Sequence, residues 1–298
     1  MRIGALMKKV VLALALVMSL GLFGCAGGDH ASGSTSRGKI EVSVVDRSYM
    51  SVSGYSLDER KVATLYNYDE QGRLVLTEQF NNYNDERSIN LSRKYFDYDE
   101  AGNLASIMAS FEQYDWNVGS GASFSYGPDG RCERCLFEII SQGTGKYETV
   151  LEYSDEGNIT SGTLTKYQYR TSTEGKTWNV AWSYLPSGKL ESAIVRSNPS
   201  AGIELSPGLS DVDAGDYAYR DLFTGTLTTL HFDEEDRLVK VETDGRSDHT
   251  ETIYEYKTIE VDASTYKPTV FSNPTGIDPM WKPTLSDEEV AAIMGKKK

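Results

Sequence analysis

The stretch Tyr66-Asn67-Tyr68-Asp69-Glu70-Gln71-Gly72-Arg73-Leu74 has the residue types of a β-hairpin turn between two strands. Tyr66 and Tyr68 are two residues apart, so both side chains lie on the same face of a strand. Asp69 can accept a hydrogen bond from the backbone two residues further on, which starts a turn. Gly72 can adopt a positive φ because it has no Cβ. The stretch therefore predicts a strand end, a tight turn and a new strand.

Five later stretches repeat this pattern, at residues 95–104, 124–132, 151–159, 182–190 and 230–238. In five of the six copies a glycine follows the anchoring aromatic residue by four positions, and Asp236 replaces it in the last copy. Aspartate tolerates a positive φ better than most residues. Residues 217–225 predict a further unit with a longer turn. Spacings of 24 to 48 residues between the anchors Tyr68, Tyr98, Tyr126, Tyr153, Tyr184, Phe232 and Tyr256 indicate a repeat architecture.

The repeated stretch resembles the YD-repeat family, also called Rhs-type repeats, whose pattern is Tyr-x-Tyr-Asp-x-x-Gly-Arg-Leu. The first copy matches fully, and Asn103 replaces the arginine in the second. The later copies keep the spacing but lose the Asp, the Gly or an aromatic residue. The resemblance covers roughly residues 60 to 260 and implies an antiparallel sheet built hairpin by hairpin. With few repeats and a short C-terminal remainder, it transfers the fold and not toxin delivery.

The repeats predict an all-β fold, an antiparallel meander of hairpins that forms one curved, twisted sheet over residues 39–262. Residues 197–215 are rich in Ser, Pro, Gly and Asp and predict an excursion from this sheet. The predicted strands are 39–45, 62–68, 74–80, 91–98, 104–111, 123–126, 132–140, 147–153, 159–169, 180–184, 190–195, 217–220, 227–232, 238–243 and 250–261.

The first 24 residues have the pattern of a secretory signal. Arg2, Lys8 and Lys9 precede an uncharged apolar stretch that ends at Cys25. The segment resembles a bacterial lipoprotein signal, which implies cleavage before Cys25 and lipid attachment to its sulfur. The open alternatives are an uncleaved membrane anchor and an ordinary signal. Residues 25–38 are small and polar and predict a flexible tether. The expected location is outside the cytoplasm on a bacterial membrane, with the outer membrane or cell surface favoured because Ala26 is not an aspartate.

The C-terminal residues 263–298 form a separate segment. Four prolines, Pro268, Pro274, Pro279 and Pro283, impose an extended path. The run from Ser286 to Glu289 then has the spacing of a capping box and predicts a short helix. We expect this helix to cover one end or edge of the sheet. The alternative is a frayed tail.

The charge of the chain excludes one class of partner. Three of the 30 Lys and Arg residues lie in residues 1–24, which leaves 27 against 44 Asp and Glu, a net charge of −17 for the processed chain. Such a surface repels the phosphate backbone, so we expect no binding to nucleic acid.

Cys132 and Cys135 lie three residues apart in one predicted strand. In a flat strand their side chains point to opposite faces and lie too far apart for a disulfide. A bulge in the strand would bring them together, and export would permit their oxidation. Zinc would need two further ligands, and none cluster nearby in the sequence.

No stretch carries a recognisable catalytic or cofactor signature. The histidines His30, His231 and His249 lie in the tether, in a strand and in a loop. Residues 211–216 resemble a calcium loop in composition, but Gly215 and Leu222 stand where the EF-hand pattern requires acids. Trp116 and Trp178 are placed in or beside loops, where exposed rings would stack on sugars. The alternative is that each ring covers the apolar face of the sheet.

The sequence thus predicts a lipid-anchored, non-enzymatic surface module that binds a protein or a glycan through one sheet face. One alternative is a carrier that holds a lipid or another hydrophobic ligand on a concave apolar face. Another is a hydrolase, which would use either paired carboxylates or a nucleophilic set of residues that the fold alone brings together. We expect no cofactor, and a membrane contact through Cys25.

Overall fold

A computed structural model describes residues 38–51, 54–56, 61–82, 89–112, 118–139, 145–155, 157–167, 173–186, 190–196, 202–211, 214–222, 224–245 and 248–266. Within them, sixteen antiparallel strands follow in chain order, and the last pairs with the first to close a barrel. The strands are β1 (Lys39–Ser51), β2 (Lys61–Tyr68), β3 (Leu74–Asn82), β4 (Ile89–Tyr98), β5 (Leu104–Phe111), β6 (Val118–Tyr126), β7 (Cys132–Ile139), β8 (Gly145–Tyr153), β9 (Ile159–Tyr167), β10 (Gly175–Tyr184), β11 (Leu190–Val195), β12 (Gly202–Leu205), β13 (Asp216–Asp221), β14 (Leu227–Phe232), β15 (Leu238–Asp244) and β16 (His249–Asp262).

The predicted antiparallel all-β fold is confirmed, but the predicted open sheet is wrong. Strand β16 pairs with β1 from Lys39↔Asp262 to Met50↔Thr252, so the sheet has no free edge for a helix to cover. Strand β12 lies inside the predicted excursion 197–215, of which residues 206–215 form the connection to β13. The predicted signal, the residues of the tether up to 37 and the C-terminal helix lie outside the described residues.

The repeated turns share one backbone geometry. In the first turn, the Asp69 amide donates to the Arg73 carbonyl at 2.9 Å, and the Gly72 amide donates to the Asp69 carbonyl at 3.0 Å. The same pair of bonds closes the turns at 99–103, 127–131, 154–158 and 233–237. Gly72 has φ +76°, and Asp236 takes the same conformation with φ 58°. The sequence pattern therefore encodes a turn that requires a left-handed residue at its fourth position.

Every one of these turns is followed by a β-bulge. Tyr68 pairs with Leu74, whereas Asn67 pairs with Leu76, so Val75 is an extra residue in β3. The same register shift follows the turns that lead into β5, β7, β9, β11 and β15. A bulge of one residue moves the following side chains to the opposite face of the sheet.

Each repeat is tied to the next by its aromatic anchor. The Tyr98 hydroxyl donates to the Leu74 carbonyl at 2.8 Å, and the Arg73 guanidinium lies 4.7 Å from the centroid of the Tyr98 ring. Asp69 orients that arginine through a 2.8 Å hydrogen bond. The motif residues thus join successive hairpins. The hydroxyls of Tyr68, Tyr126, Tyr153, Tyr219 and Tyr256 make corresponding bonds of 2.6–2.9 Å to the carbonyls of Val45, Leu104, Cys132, Leu190 and Leu238.

The meander places the repeated turns at one end of the barrel, which we call the repeat rim, and the alternate connections at the far rim. The unit predicted at residues 217–225 does form a hairpin, because Asp221 and Thr226 close a turn that contains Gly225. That turn lies at the far rim, so this hairpin has the opposite direction to the other copies.

Candidate functional site

The inner wall of the barrel is apolar over strands β8–β15. Leu164, Val180 and Val195 are at most 1% exposed, and Trp182 and Tyr217 belong to the same buried cluster. A second cluster, centred on Leu74, Phe96 and Leu104, lines the repeat rim over β3–β7. Side chains buried to this degree are covered by their own neighbours, so this part of the interior is packed.

Between β16 and β5 the inner wall also carries polar side chains, toward the far rim. The cross-strand row Ser48–Thr64–Gln79–Ser92 lies on the same face as buried Val62 and is therefore inside. Ser92 Oγ donates to Gln79 Oε1 at 3.4 Å, and Ser48 Oγ lies 3.2 Å from the Tyr66 hydroxyl oxygen. Several outward positions of the same strands carry apolar side chains. In most water-soluble sheets the polar face is the outer one.

These outward side chains form what we call the convex apolar patch. One row runs across the closure of the barrel through Ile253, Tyr49, Ala63 and Phe80. A second row contains Leu76, Tyr95 and Met108, and Leu65 lies between the two. Tyr95 is 42% exposed and Ile253 is 37% exposed, whereas Ala63, the smallest member, is 9% exposed. An exposed cluster of this kind is typical of a binding surface.

The charges within the convex apolar patch are paired. Arg93 and Glu78 face each other on β4 and β3, with Nε and Oε1 3.1 Å apart. Arg47 pairs with Asp46 at 2.8 Å, and the Lys61 ammonium lies 4.4 Å from the centroid of the Tyr49 ring. The patch is thus close to neutral, whereas the chain as a whole is strongly acidic.

Of the residues predicted to form sites, Cys25 and Trp116 lie outside the described residues. Trp178 lies within β10 and not in a loop, its side chain belongs to the buried cluster, and it is 8% exposed. Lys176 covers it, with Nζ 5.2 Å from the ring centroid. The accessible ring that sugar stacking requires is not found at this position. The alternative, that Trp178 covers the apolar face, agrees with its burial.

Cys132 and Cys135 point to the same side, contrary to the flat-strand prediction. Glu133 is the extra residue of the bulge in β7, and this shift turns both side chains inward into the cluster at the repeat rim. Both thiols are free and buried. Burial raises the pKa of the Cys132 thiol to about 11 and raises that of Cys135 as well. Neither thiol is therefore poised as a nucleophile.

The described acidic residues of the stretch 211–216, Asp211 and Asp216, have partners within the fold. The Asp211 side chain accepts a hydrogen bond from the Ala214 amide at 3.2 Å. The Asp216 carboxylate lies 2.7 Å from His231 Nδ1. No group of three or more metal-binding side chains occurs in the part of the chain that the structure describes.

Sequence reasoning missed the convex apolar patch because it treated each strand as flat. Two signals bear on it: Val45 interrupts the alternation Ile40–Val42–Val44 at the bulge in β1, and both Leu74 and Leu76 follow the first turn. Each indicates that a bulge changes which residues face outward.

Comparison with known proteins gives weak structural likenesses. The chain is similar to a porin-like protein from Bacteroides uniformis, at 10% identity and a TM-score of 0.41, over 72% of this chain and 98% of that one. It is also similar to the Photorhabdus luminescens Tc holotoxin pore, at 12% identity and a TM-score of 0.30, over 67% of this chain and 12% of that one. A TcdB2–TccC3 structure is similar at 11% identity and a TM-score of 0.24, over 80% of this chain and 19% of that one.

None of these likenesses reaches a TM-score of 0.5, so none carries a functional assignment. This chain spans less than a fifth of each Tc toxin chain. No protein-family model and no curated protein matches the sequence, and the resemblance to YD repeats and to lipoprotein signals therefore stays a prediction. No helix in the described ranges is long and apolar enough to cross a membrane.

Proposed function

We propose that this protein is a lipid-anchored, extracytoplasmic β-barrel that binds a protein partner and catalyses no reaction. The observation that carries the proposal is the convex apolar patch, a group of outward aromatic and aliphatic side chains on the outer wall between β16 and β5. Two apolar rows separated by a row of paired charges, Arg47, Glu78 and Arg93, combine apolar contact area with polar groups, as protein interfaces do.

The proposed anchor would place this patch close to the membrane. Cys25 precedes Lys39, the first residue of β1, by 14 residues. A flexible polar tether of that length has a root-mean-square span of about 20 Å. Tyr49 lies ten residues beyond Lys39 in β1, roughly 33 Å away, so a lipid on Cys25 would hold this part of the patch within on the order of 50 Å of the membrane.

A protein partner fits the patch better than a glycan. Aliphatic side chains such as Leu65, Leu76 and Met108 offer little to a sugar, whose recognition depends on hydrogen bonds and on flat, exposed rings. Trp178, one of the two rings that the sequence made candidates for stacking, is buried.

The two alternative functions have less support. A hydrophobic carrier needs an apolar face that is open to its ligand, whereas the apolar inner wall around Leu164 and Val180 is already packed. A hydrolase would need two carboxylates around a substrate position. The carboxylates of Asp216 and Glu242 lie on either side of His231 and are engaged by it.

A photo-crosslinking amino acid placed at position 95 of the full chain tests the proposal in bacteria. Position 150 is the matched control, because Val150 is 40% exposed on the outer wall of β8 but has polar outward neighbours. We expect a defined crosslinked protein from position 95 and none from position 150. With that protein purified, Tyr95→Glu with Ile253→Glu should weaken binding about tenfold or more, while Val150→Glu should not.

Equal crosslinking from both positions, or unchanged affinity of the double variant, would remove the support for an interface. The anchor is tested separately by metabolic labelling with a radioactive fatty acid. We expect labelling of the wild-type chain and none of Cys25→Ala. Labelling that persists in Cys25→Ala would show that the lipid is attached to another residue.

A further inference from the structure

A chain of charged groups crosses four strands on the outer wall, beside the convex apolar patch, because its member Lys240 is the cross-strand partner of Ile253. Asp216 on β13 lies 2.7 Å from Nδ1 of His231 on β14, and Glu242 on β15 lies 3.0 Å from Nε2 of the same ring. Lys240 then contacts Glu242 at 2.7 Å and Glu251 on β16 at 2.6 Å. The His231 side chain is 24% exposed, so water reaches it.

The ring of His231 has a carboxylate at each nitrogen. Ionised carboxylates only accept hydrogen bonds, and a neutral imidazole carries a single N–H. Only the imidazolium form can therefore donate to Asp216 and Glu242 together. When the ring is neutral, one of the two contacts sets a nitrogen lone pair against a carboxylate oxygen, which is unfavourable.

The other charged groups around His231 modulate this arrangement without replacing it. Lys240 is the register partner of His231, and it lowers the pKa of Glu242, with a smaller contribution from His231. Its own pKa is raised, first by Glu242 and then by Glu251. Asp211, in the connection before β13, adds a further negative charge on the side of Asp216.

Asp216 is also the point where the connection 206–215 joins β13. Its amide donates to the Asp211 carbonyl at 2.8 Å. The connection is held along the same strand, because the Ser206 amide donates to the Ala218 carbonyl at 2.7 Å and the Ala218 amide donates to Ser210 Oγ at 3.0 Å. Asp216 therefore carries both a backbone bond to the connection and, through its side chain, the contact to His231.

We propose that Asp216, His231 and Glu242 form a pH-dependent brace that fixes the start of β13, and with it the bonded residues 206–211, when the histidine is protonated. Histidine is the side chain whose charge changes between pH 5 and 8. The brace is tight at the acidic end of this range and loosens as the pH rises. This proposal does not depend on the binding function proposed above.

Hydrogen–deuterium exchange of the full chain at pH 5.5 and pH 8.0 tests the brace, with the rates corrected for intrinsic exchange. We expect the amides of residues 206–218 to exchange about fivefold faster at pH 8.0 than at pH 5.5. A ratio of this size corresponds to the loss of one partly exposed ion pair. His231→Gln should abolish this difference. His249→Gln is the matched control, because His249 contacts a single carboxylate, that of Asp244 at 2.6 Å, and it should keep the difference.

Two results would overturn the brace. One is a His231→Gln variant that retains the wild-type pH difference in residues 206–218. The other comes from long-range proton–nitrogen spectra of the wild-type imidazole, which does not require a variant to fold. We expect both ring nitrogens to be protonated at pH 5.5, and a neutral ring at that pH would contradict the proposal.

Discussion

The hydroxyl of Tyr68 donates a 2.8 Å hydrogen bond to the carbonyl of Val45, which joins the first repeat to the strand that closes the barrel. Val45 lies at the bulge of β1, directly opposite Tyr256 of the last strand. Lys257 lies 5.7 Å from the centroid of the Tyr68 ring and pairs with Asp46 at 2.9 Å. The closing contacts thus resemble those between successive repeats, with Lys257 over the Tyr68 ring in the role that Arg73 has over the Tyr98 ring.

We predict that Tyr68→Phe destabilises the barrel by about 1–3 kcal/mol, because the buried Val45 carbonyl loses its donor without regaining water. Tyr95→Phe is the control, since Tyr95 lies exposed on the outer wall, and its cost should be within about 0.5 kcal/mol. Urea denaturation followed by circular dichroism measures both. Equal stabilities of the two variants would show that the closing bond contributes nothing.

The repeat rim provides a second test through two glycines of nearly equal conformation. Gly72 has φ +76° and Gly130 has φ +77°. A Cβ at Gly72 would lie 2.8 Å from Val261 Cγ1, whereas a Cβ at Gly130 would meet nothing within 4 Å. We predict a loss of about 1–2 kcal/mol for Gly130→Ala from backbone strain alone.

For Gly72→Ala we expect the same strain and a further loss of about 1–3 kcal/mol from overpacking against β16. Thermal and urea unfolding of both variants, measured side by side, give the difference. If the two substitutions cost the same, the strand end that carries Val261 does not pack on the first turn.

Alkaline pH should destabilise the protein through its buried thiol and tyrosines. Burial raises the pKa of Cys132 from an ordinary value of 9.0 to about 11, and that of Tyr98 from 10.0 to about 12. The unfolded chain therefore loses these protons first. Their contribution to stability is complete below pH 9 and is lost as the pH rises to about 11 for the thiol and about 12 for the tyrosine.

We predict that the free energy of unfolding falls steadily above pH 9, as measured by urea titrations at successive pH values. Cys132→Ala should reduce the fall between pH 9 and pH 11. The same variant at pH 7, where the thiol is neutral in both states, provides the baseline. An unchanged pH profile in Cys132→Ala would mean that this thiol ionises equally in the folded and unfolded chains.

Most of the strands could be predicted because their turns are specified locally. Asp69 and Gly72 fix the first turn through bonds within five residues, so the position of the turn follows from residue types alone. Strand β12 was missed because it has only four residues, Gly202–Leu205, inside a stretch rich in turn formers. A short strand of this kind is stabilised by its partners β11 and β13 rather than by its own sequence.

Closure and sidedness could not be predicted for two physical reasons. The pairing of Lys39 with Asp262 joins residues at opposite ends of the domain, and no local pattern specifies it. The bulge residues, such as Val75 and Glu133, exchange the inner and outer faces after each turn. Flat-strand alternation therefore placed Cys132 and Cys135 on opposite faces and left the convex apolar patch unrecognised.

Substitutions of Trp178 test whether its ring packs in the buried cluster or is available for binding. Its ring lies on the inner face of β10, opposite Leu164, and both side chains belong to the main buried cluster. We predict that Trp178→Ala costs about 3–5 kcal/mol, because it removes a large buried side chain and leaves a cavity. Trp178→Phe should cost less, since most of the volume remains filled.

The matched control is Val150→Ala, which shortens an exposed outer side chain and should change stability by about 0.5 kcal/mol or less. Unfolding in urea measures the stabilities. Acrylamide quenching, which compares wild type with Trp178→Phe, measures the access of solvent to the indole. Two results together would contradict a structural role for Trp178: quenching as strong as that of free tryptophan, and no loss of stability in either variant. Trp178 would then again be a candidate for ligand binding.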